Sequence, residues 1–262
     1  MAANVPDDRV TRSGAGDPAR TLALLWRQSS AGTRGPKPGL NVDRVVDAAI
    51  SLADGEGIAA LTMRRVAQAL GVAPMSLYTY VPGKAELVDL MLDRVYAQMP
   101  RAQPAAEDWR DRVTAVAEDN RRLYQQHPWV AMVSTTRPAL GPGQMAKYEY
   151  ELRALDGIGL GDVAMDAALT FVLGFVLTCA RASLDARAIQ LESALSDAEW
   201  WAAHEPLLAR VLDASAYPVA SRVGSAAGEA YGGAYNAQYA YEFGLARVLD
   251  GIAALLPLPP PR

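Results

Sequence analysis

Residues 61–84, Leu-Thr-Met-Arg-Arg-Val-Ala-Gln-Ala-Leu-Gly-Val-Ala-Pro-Met-Ser-Leu-Tyr-Thr-Tyr-Val-Pro-Gly-Lys, restrict the chain more than any other stretch. Thr62 is suited to cap a helix, because its hydroxyl accepts a backbone N–H of the opening turn. Val66, Ala67 and Leu70 then share one face at helical spacing. Gly71 ends that helix, and Pro74 opens a second one, where its missing N–H is not needed. Two short helices crossing steeply need a small residue at the crossing, a turn glycine and an inward apolar residue. Counted from Met63, these fall at places 5 (Ala67), 9 (Gly71) and 15 (Leu77). Together they describe a helix-turn-helix of the kind that enters DNA, although an ordinary helical hairpin in a larger bundle meets the same spacing.

The flanking sequence fits a small domain over 41–99. Asn41 caps a helix with the stripe Val42, Val45, Val46, Ala49, Leu52 and Ala53, ended near Gly55–Gly57. Ile58 and Leu61 close a core beneath the hairpin, and Lys84 begins a long helix with Leu87, Val88, Met91, Leu92 and Val95 inward.

Charge is distributed unevenly. The net charge is −4, yet residues 1–40 hold six basic and three acidic side chains. From Pro18 to Leu40 there are four cations (Arg20, Arg27, Arg34, Lys37) and no anion, so a phosphate-binding end on an acidic body is expected. Residues 1–40 are polar and rich in Gly, Pro, Ser and Arg, and read as a basic flexible arm. Only Leu22–Trp26 is apolar enough for a short helix or anchor. The Thr33–Gly39 stretch cannot be helical; an extended strand placing Arg34 and Lys37 in a minor groove fits it, as does a solvated tail.

Residues 100–262 read as helices alone, without sustained period-2 alternation. Met145, Tyr148, Leu152 and Leu155 are expected inward on one helix. A helix from Asp162 to about Leu184 or beyond is apolar on nearly all sides, but its longest uninterrupted run, Ala167–Ala180, is too short for a membrane span. Ser196-Asp-Ala-Glu199 is a capping box opening a helix with Trp200, His204, Leu207 and Val211 on one face. The Ala/Gly/Ser-rich stretch 213–234 reads as a long mobile connection. The last helix, about Tyr235 to Leu256, carries Tyr241, Leu245, Val248, Ile252 and Leu255 at steps of four and three. The architecture expected is therefore all-α: a three-helix helix-turn-helix DNA-binding domain and a larger helical ligand-binding and dimerisation domain.

A candidate effector site is spread over several helices. Asn120, Tyr124 and His127 share a face; Tyr148 lies inward on the next helix; Phe171, Phe175 and Thr178 line the central one; Trp200 and His204 share a face further on. Polar groups on apolar faces must be hydrogen-bonded, and the partner is either a bound molecule or another part of the chain. A cavity lined by aromatics and a few polar groups is the expected form of a ligand site.

Enzymatic readings find little support. There is no phosphate-cradling glycine loop, no ligand cluster at metal spacing and no nucleophile motif. The lone Cys179 lies mid-helix among apolar residues. No catalytic residue, metal or cofactor is expected. A single cysteine fits a reducing cytoplasm. A helical adaptor that uses its hairpin for protein contact is the rival from a different class.

With the helix order laid out, the chain resembles the tetracycline-repressor (TetR) family of transcription regulators, most closely over 41–95. The resemblance rests on Leu61-Thr-Met-Arg-Arg-Val-Ala, Leu70-Gly-Val, and Leu77-Tyr-Thr-Tyr-Val followed by Lys84. It implies that Thr62, Tyr80 and Lys84 hold phosphates, that Arg64 reads a guanine edge, and that Pro74, Met75, Ser76, Tyr78 and Thr79 form the presented face of the recognition helix. It implies a homodimer on double-stranded operator DNA, built on the helix from Asp162 and the last helix, and release by a small-molecule effector. The long basic arm resembles members that guard drug-export or antibiotic-biosynthesis genes. Repression is the expected outcome, with activation as the alternative.

Overall fold

A computed structural model describes residues 11–28, 40–101 and 108–257. These residues form twelve α-helices: α1 (Pro18–Leu25), α2 (Val42–Glu56), α3 (Met63–Ala69), α4 (Pro74–Leu77), α5 (Lys84–Gln98), α6 (Trp109–Gln126), α7 (Pro128–Met132), α8 (Pro142–Arg153), α9 (Asp162–Ser193), α10 (Asp197–Val211), α11 (Pro218–Tyr231) and α12 (Ala237–Ala253). Among the described residues the one extended pairing is an isolated parallel bridge between Arg12 and Ser134. The fold class is all-α, as the sequence pattern indicates. Two compact units divide within α9, one holding residues 1–173 and 255–262 and the other 174–254.

In the first unit, the core beneath the hairpin joins α2, α3, α4 and α5. Val45, Ala49, Leu61, Val66, Ala67, Leu77, Val81, Leu87, Val88 and Met91 are fully buried there. Asn41 caps α2 by accepting the Arg44 N–H at 2.8 Å. Helix α5 is buried on nearly every side, and α8 packs lengthwise along it. The close approach depends on Gly143, since a Cβ there would lie 2.0 Å from the Asp93 carbonyl oxygen.

Two expectations are corrected. Residues 213–234 are not a long loop: Pro218 opens the fourteen-residue α11, which Gly232 ends at φ +62. Alanine has the best helix propensity of all residues, and Gly228 lets the Trp201 ring lie flat against α11. The inward face of α8 also differs. Lys147 and Glu151 are buried while Met145 is exposed, because the two charges neutralise each other along the helix. Trp200, His204, Leu207 and Val211 share a face of α10 as expected, and that face is exposed in a single chain. Pro206 does not end this helix, and the Ser196/Glu199 capping box forms as expected.

The N-terminal expectation changes as well. Residues 11–28 pack on the first unit, with Leu25 in its hydrophobic core; Arg34 and Lys37 lie outside the described residues. Replacing Leu77 by Ala should lower stability by about 3 kcal/mol, read as a fall in the urea midpoint with an unchanged slope.

Candidate nucleic-acid interface

The hairpin is set by local chemistry. The Thr62 hydroxyl accepts the Arg65 N–H at 3.2 Å and so starts α3. Gly71, at φ +67, makes the left-handed turn that β-carbons disfavour. Pro74 opens α4, and Leu77 locks it onto α3 with no exposed surface. What remains outside is one presented face. Pro74, Met75, Ser76, Tyr78 and Thr79 are exposed, Met75 by 75%. Tyr80 and Lys84 are half-buried at its edge.

The two arginines of α3 have different surroundings. Arg65 is held by Glu56 at 2.6 Å, whereas Arg64 is exposed beside the presented face. Lys84 occupies the first turn of α5, where the helix dipole is positive and a cation is disfavoured. A phosphate oxygen placed there would relieve both charges.

Sequence reasoning missed a second feature on the same helix. Glu86, Asp89 and Asp93 are buried along α5. Glu86 accepts the Asp17 N–H at 3.4 Å, Asp89 accepts the Gly14 N–H at 2.9 and 3.2 Å, and Asp93 accepts the Gln144 N–H at 2.8 Å. Burial pushes the Asp89 and Asp93 carboxyls up, against the downward pull of these N–H donors. No local pattern marks such residues, because their donors lie 51 to 75 positions away.

The expected effector residues do different things. Asn120 is buried; its amide donates to the Val116 carbonyl at 3.0 Å and to Glu151 at 2.6 Å, and its own Oδ1 has no partner. Glu151 also holds Lys147 at 2.6 Å, and the Lys147 ammonium lies 5.4 Å from the Tyr96 ring centre. Tyr124 packs against the hairpin core. His127 turns towards α2, where Asp54 meets its Nδ1 at 2.8 Å and also accepts the Trp129 indole N–H. Tyr148 donates to Asp166 at 2.7 Å, and Phe171 is exposed. In the second unit, Phe175 stacks on Tyr241 at 5.8 Å, and Thr178 donates to the Gly174 carbonyl. Trp200 and His204 stack on each other at 4.1 Å on an exposed face. Asn120 is thus drawn into a buried charged group that the sequence pattern did not reveal, while His127 ties the start of α7 to α2. Among the described residues there is no cluster of His, Cys, Asp or Glu able to hold a metal ion.

The family model of bacterial regulatory proteins of the tetR family matches residues 45–91, and that of the tetracyclin repressor-like C-terminal domain matches residues 100–256. The chain belongs to the TetR family. TetR-family proteins are transcription regulators rather than enzymes, and the two matches coincide with the hairpin and the helices that follow α5. The chain is 43% identical over 247 residues to the transcriptional repressor DrrR1 of Streptomyces coeruleorubidus, covering 93% of this chain and 88% of that one. It is 36% identical over 141 residues to a transcriptional regulator of Saccharopolyspora erythraea, covering 54% of this chain and 60% of that one. Among solved structures, ActR of Streptomyces coelicolor bound to actinorhodin superimposes with a TM-score of 0.69 at 25% identity, over 84% of this chain and 98% of that one. Neither TetR-family model reaches the first forty-four residues.

Two outcomes follow from these surroundings. Glu151→Ala should destabilise the fold by about 3–5 kcal/mol, because it strands a buried ammonium, and Glu151→Gln by clearly less; thermal unfolding separates them. On DNA, the Arg34→Ala/Lys37→Ala pair should flatten the plot of log affinity against log salt by about 1.8 if both side chains neutralise phosphates. Deleting residues 1–40 would not test this cleanly, since it also removes Leu25 from the core.

Proposed function

We propose that this TetR-family regulator is a repressor that binds a palindromic operator as a homodimer and is released by a small hydrophobic or aromatic molecule. Its setting is the cytoplasm, and its targets are drug-efflux or antibiotic-biosynthesis genes. The observation that carries the reading is the likeness to a transcriptional repressor across the hairpin and the C-terminal helices together. The presented face adds chemical support. Ser76 and Thr79 can bond several base edges, Arg64 can donate twice to guanine, and Pro74 and Met75 offer apolar contact to thymine methyls. Without a basic residue on α4, specificity leans on DNA shape and on the flanking cations.

A homodimer is supported by what a single chain leaves uncovered. Helix α9 is long and apolar enough to cross a membrane, yet 22% of its most apolar stretch is buried. Val163 and Phe171 on α9, and Tyr239 and Phe243 on α12, are exposed. A second copy covering these faces would form a four-helix interface, satisfying the two-fold symmetry a palindrome requires. Release is then a population shift: effector bound among the C-terminal helices favours an arrangement in which α5 moves and the two recognition helices no longer match successive grooves.

The test uses a duplex from the protein's own upstream region and actinorhodin as the first of a panel of aromatic probes. The expected results are the mass of a dimer by ultracentrifugation and binding far tighter than to unrelated DNA. At least one probe should weaken that binding at least fifty-fold. Equal affinity for unrelated DNA overturns the operator reading, and an affinity that no probe changes overturns release. A reporter whose transcription falls without the protein identifies an activator instead.

A further inference from the structure

The segment preceding α2 is fastened at both ends of the first unit. The Ser134 N–H donates to the Thr11 carbonyl at 2.9 Å, and the Ser13 N–H donates to the Ser134 carbonyl at 3.0 Å. The Ser13 hydroxyl donates to the Arg137 carbonyl. Gly14 and Asp17 give their N–H groups to Asp89 and Glu86, in the first two turns of α5. At the other end, the Trp26 indole N–H donates to the Leu140 carbonyl at 2.9 Å, just before α8, and Arg27 pairs with Asp43 of α2 at 2.6 Å. One short segment thus grips the start of α5, the chain leading into α8, and α2.

Its seat is imperfectly filled. A groove of about 140 Å³, open to solvent, runs along it, lined by Thr21, Leu22, Leu25, Asp89, Pro138 and Leu140. Thr21 is 8% exposed, and its hydroxyl has no partner. A groove open to solvent adds no packing to hold the segment, and a buried hydroxyl without a partner is destabilising. Several hydrogen bonds, the Arg27–Asp43 ion pair and the packing of Leu24 and Leu25 hold the segment, and the unpartnered Thr21 hydroxyl opposes them. The balance is that of an element that docks and undocks, rather than one that unfolds only with the whole domain.

We propose that residues 11–28 are a detachable strap whose docking fixes the position of α5 and thereby strengthens DNA binding. The proposal rests on the DNA-binding reading above. The strap holds Glu86 and Asp89 immediately after Lys84, so it acts on the end of α5 that meets the hairpin. Docked, it removes rocking of that end against α2, and the hairpin need not lose that freedom on meeting DNA. Undocked, this edge of α5 keeps its apolar packing and the Asp93–Gln144 bond but loses the donors to Glu86 and Asp89, and the DNA-competent arrangement is a smaller share of the population.

A loosening variant combined with a reversible lock tests this. Trp26→Ala removes the Leu140 contact at a side chain that is 46% exposed and is not one of the residues of the presented face. Gly14→Cys with Arg137→Cys supplies the lock, in a Cys179→Ser background. A Cβ at Gly14 would lie 3.0 Å from the Arg137 Cβ, so an opening to about 3.5 Å reaches disulfide geometry; because Gly14 lies at φ +64 and Gly14→Cys is itself strained, the double-cysteine protein with Trp26 intact is the parent for these comparisons. Binding to the upstream duplex is measured oxidised and reduced, with thermal unfolding showing that each form is folded. Trp26→Ala alone should bind at least fivefold more weakly than the parent. With the lock oxidised, affinity should return to within twofold of the parent, and reduction should lose it again. An unchanged affinity in Trp26→Ala, or a weakened one that oxidation does not restore, overturns the strap. If the parent itself does not prefer the upstream duplex to unrelated DNA, the DNA-binding reading fails first and the strap's role falls with it.

Discussion

A carboxylate can be buried without a cation only if hydrogen-bond donors turn towards it, and along α5 that requirement decides where other segments of the chain lie. Glu86, Asp89 and Asp93 recur at steps of three and four, so they line one edge of the helix. Their donors are backbone N–H groups: Asp17 and Gly14 from the N-terminal segment, and Gln144 from the start of α8. An N–H group is fixed to the chain, so satisfying the carboxylate fixes the backbone. The N-terminus of α8 is a favourable seat for Asp93, since its orphan donors need an acceptor. Elsewhere α5 is held by apolar burial against α2 and the hairpin, with Arg94 pairing to Asp43 and Asp47 of α2 at the surface. One helix therefore reads two kinds of force, and the polar side is the one that loosens when a donor moves away.

The hairpin inherits its precision from that helix. Helix α4 has only four residues and no cation, so it contributes shape and a few base contacts but little electrostatic attraction. Lys84 lies at the start of α5, and Arg64 on the neighbouring α3. What the recognition face can do on DNA therefore depends on the angle at which α5 holds it. His127 and Trp129 meet at Asp54 on α2, giving the helices after α5 a direct grip on the DNA-binding ones. A change among the later helices can reach the hairpin through Asp54 or through α5, and both routes consist of packed, hydrogen-bonded contacts rather than a flexible linker.

What could be read from the sequence was what local chemistry decides. Thr62, Gly71, Pro74 and Leu77 act within one or two turns of themselves, and the hairpin followed from them. The capping box at Ser196 was readable for the same reason. Residues 218–231 were not, because an Ala/Gly/Ser composition suits a loop and a helix equally; the helix is favoured by packing of Trp201 against Gly228, 27 positions away. The inward face of α8 does not follow a hydrophobic stripe, because its buried positions carry Lys147 and Glu151. Their pairing becomes visible only when Asn120 on α6 completes the set. The N-terminal segment looked like a free arm because its anchors are N–H groups, which no side-chain pattern records. The effector residues were hardest of all, since a polar residue on an apolar face announces that it has a partner without saying which.

That last ambiguity has a physical resolution at Asn120. Its amide nitrogen is committed to Val116 and Glu151, while its carbonyl oxygen is buried without a donor. Lys147 and that same amide both donate to Glu151 Oε1, so rotating the Asn120 amide would turn an oxygen towards the carboxylate and lose both amide bonds. The orientation is therefore fixed by the ion pair, and the carbonyl oxygen is left pointing away from it. A molecule entering among these helices with a hydroxyl or N–H would find an acceptor already held in place, its desolvation already incurred on folding. A purely apolar molecule of the same size would leave that oxygen unpaired. The Lys147–Glu151 pair thus dictates which end of Asn120 is left without a partner.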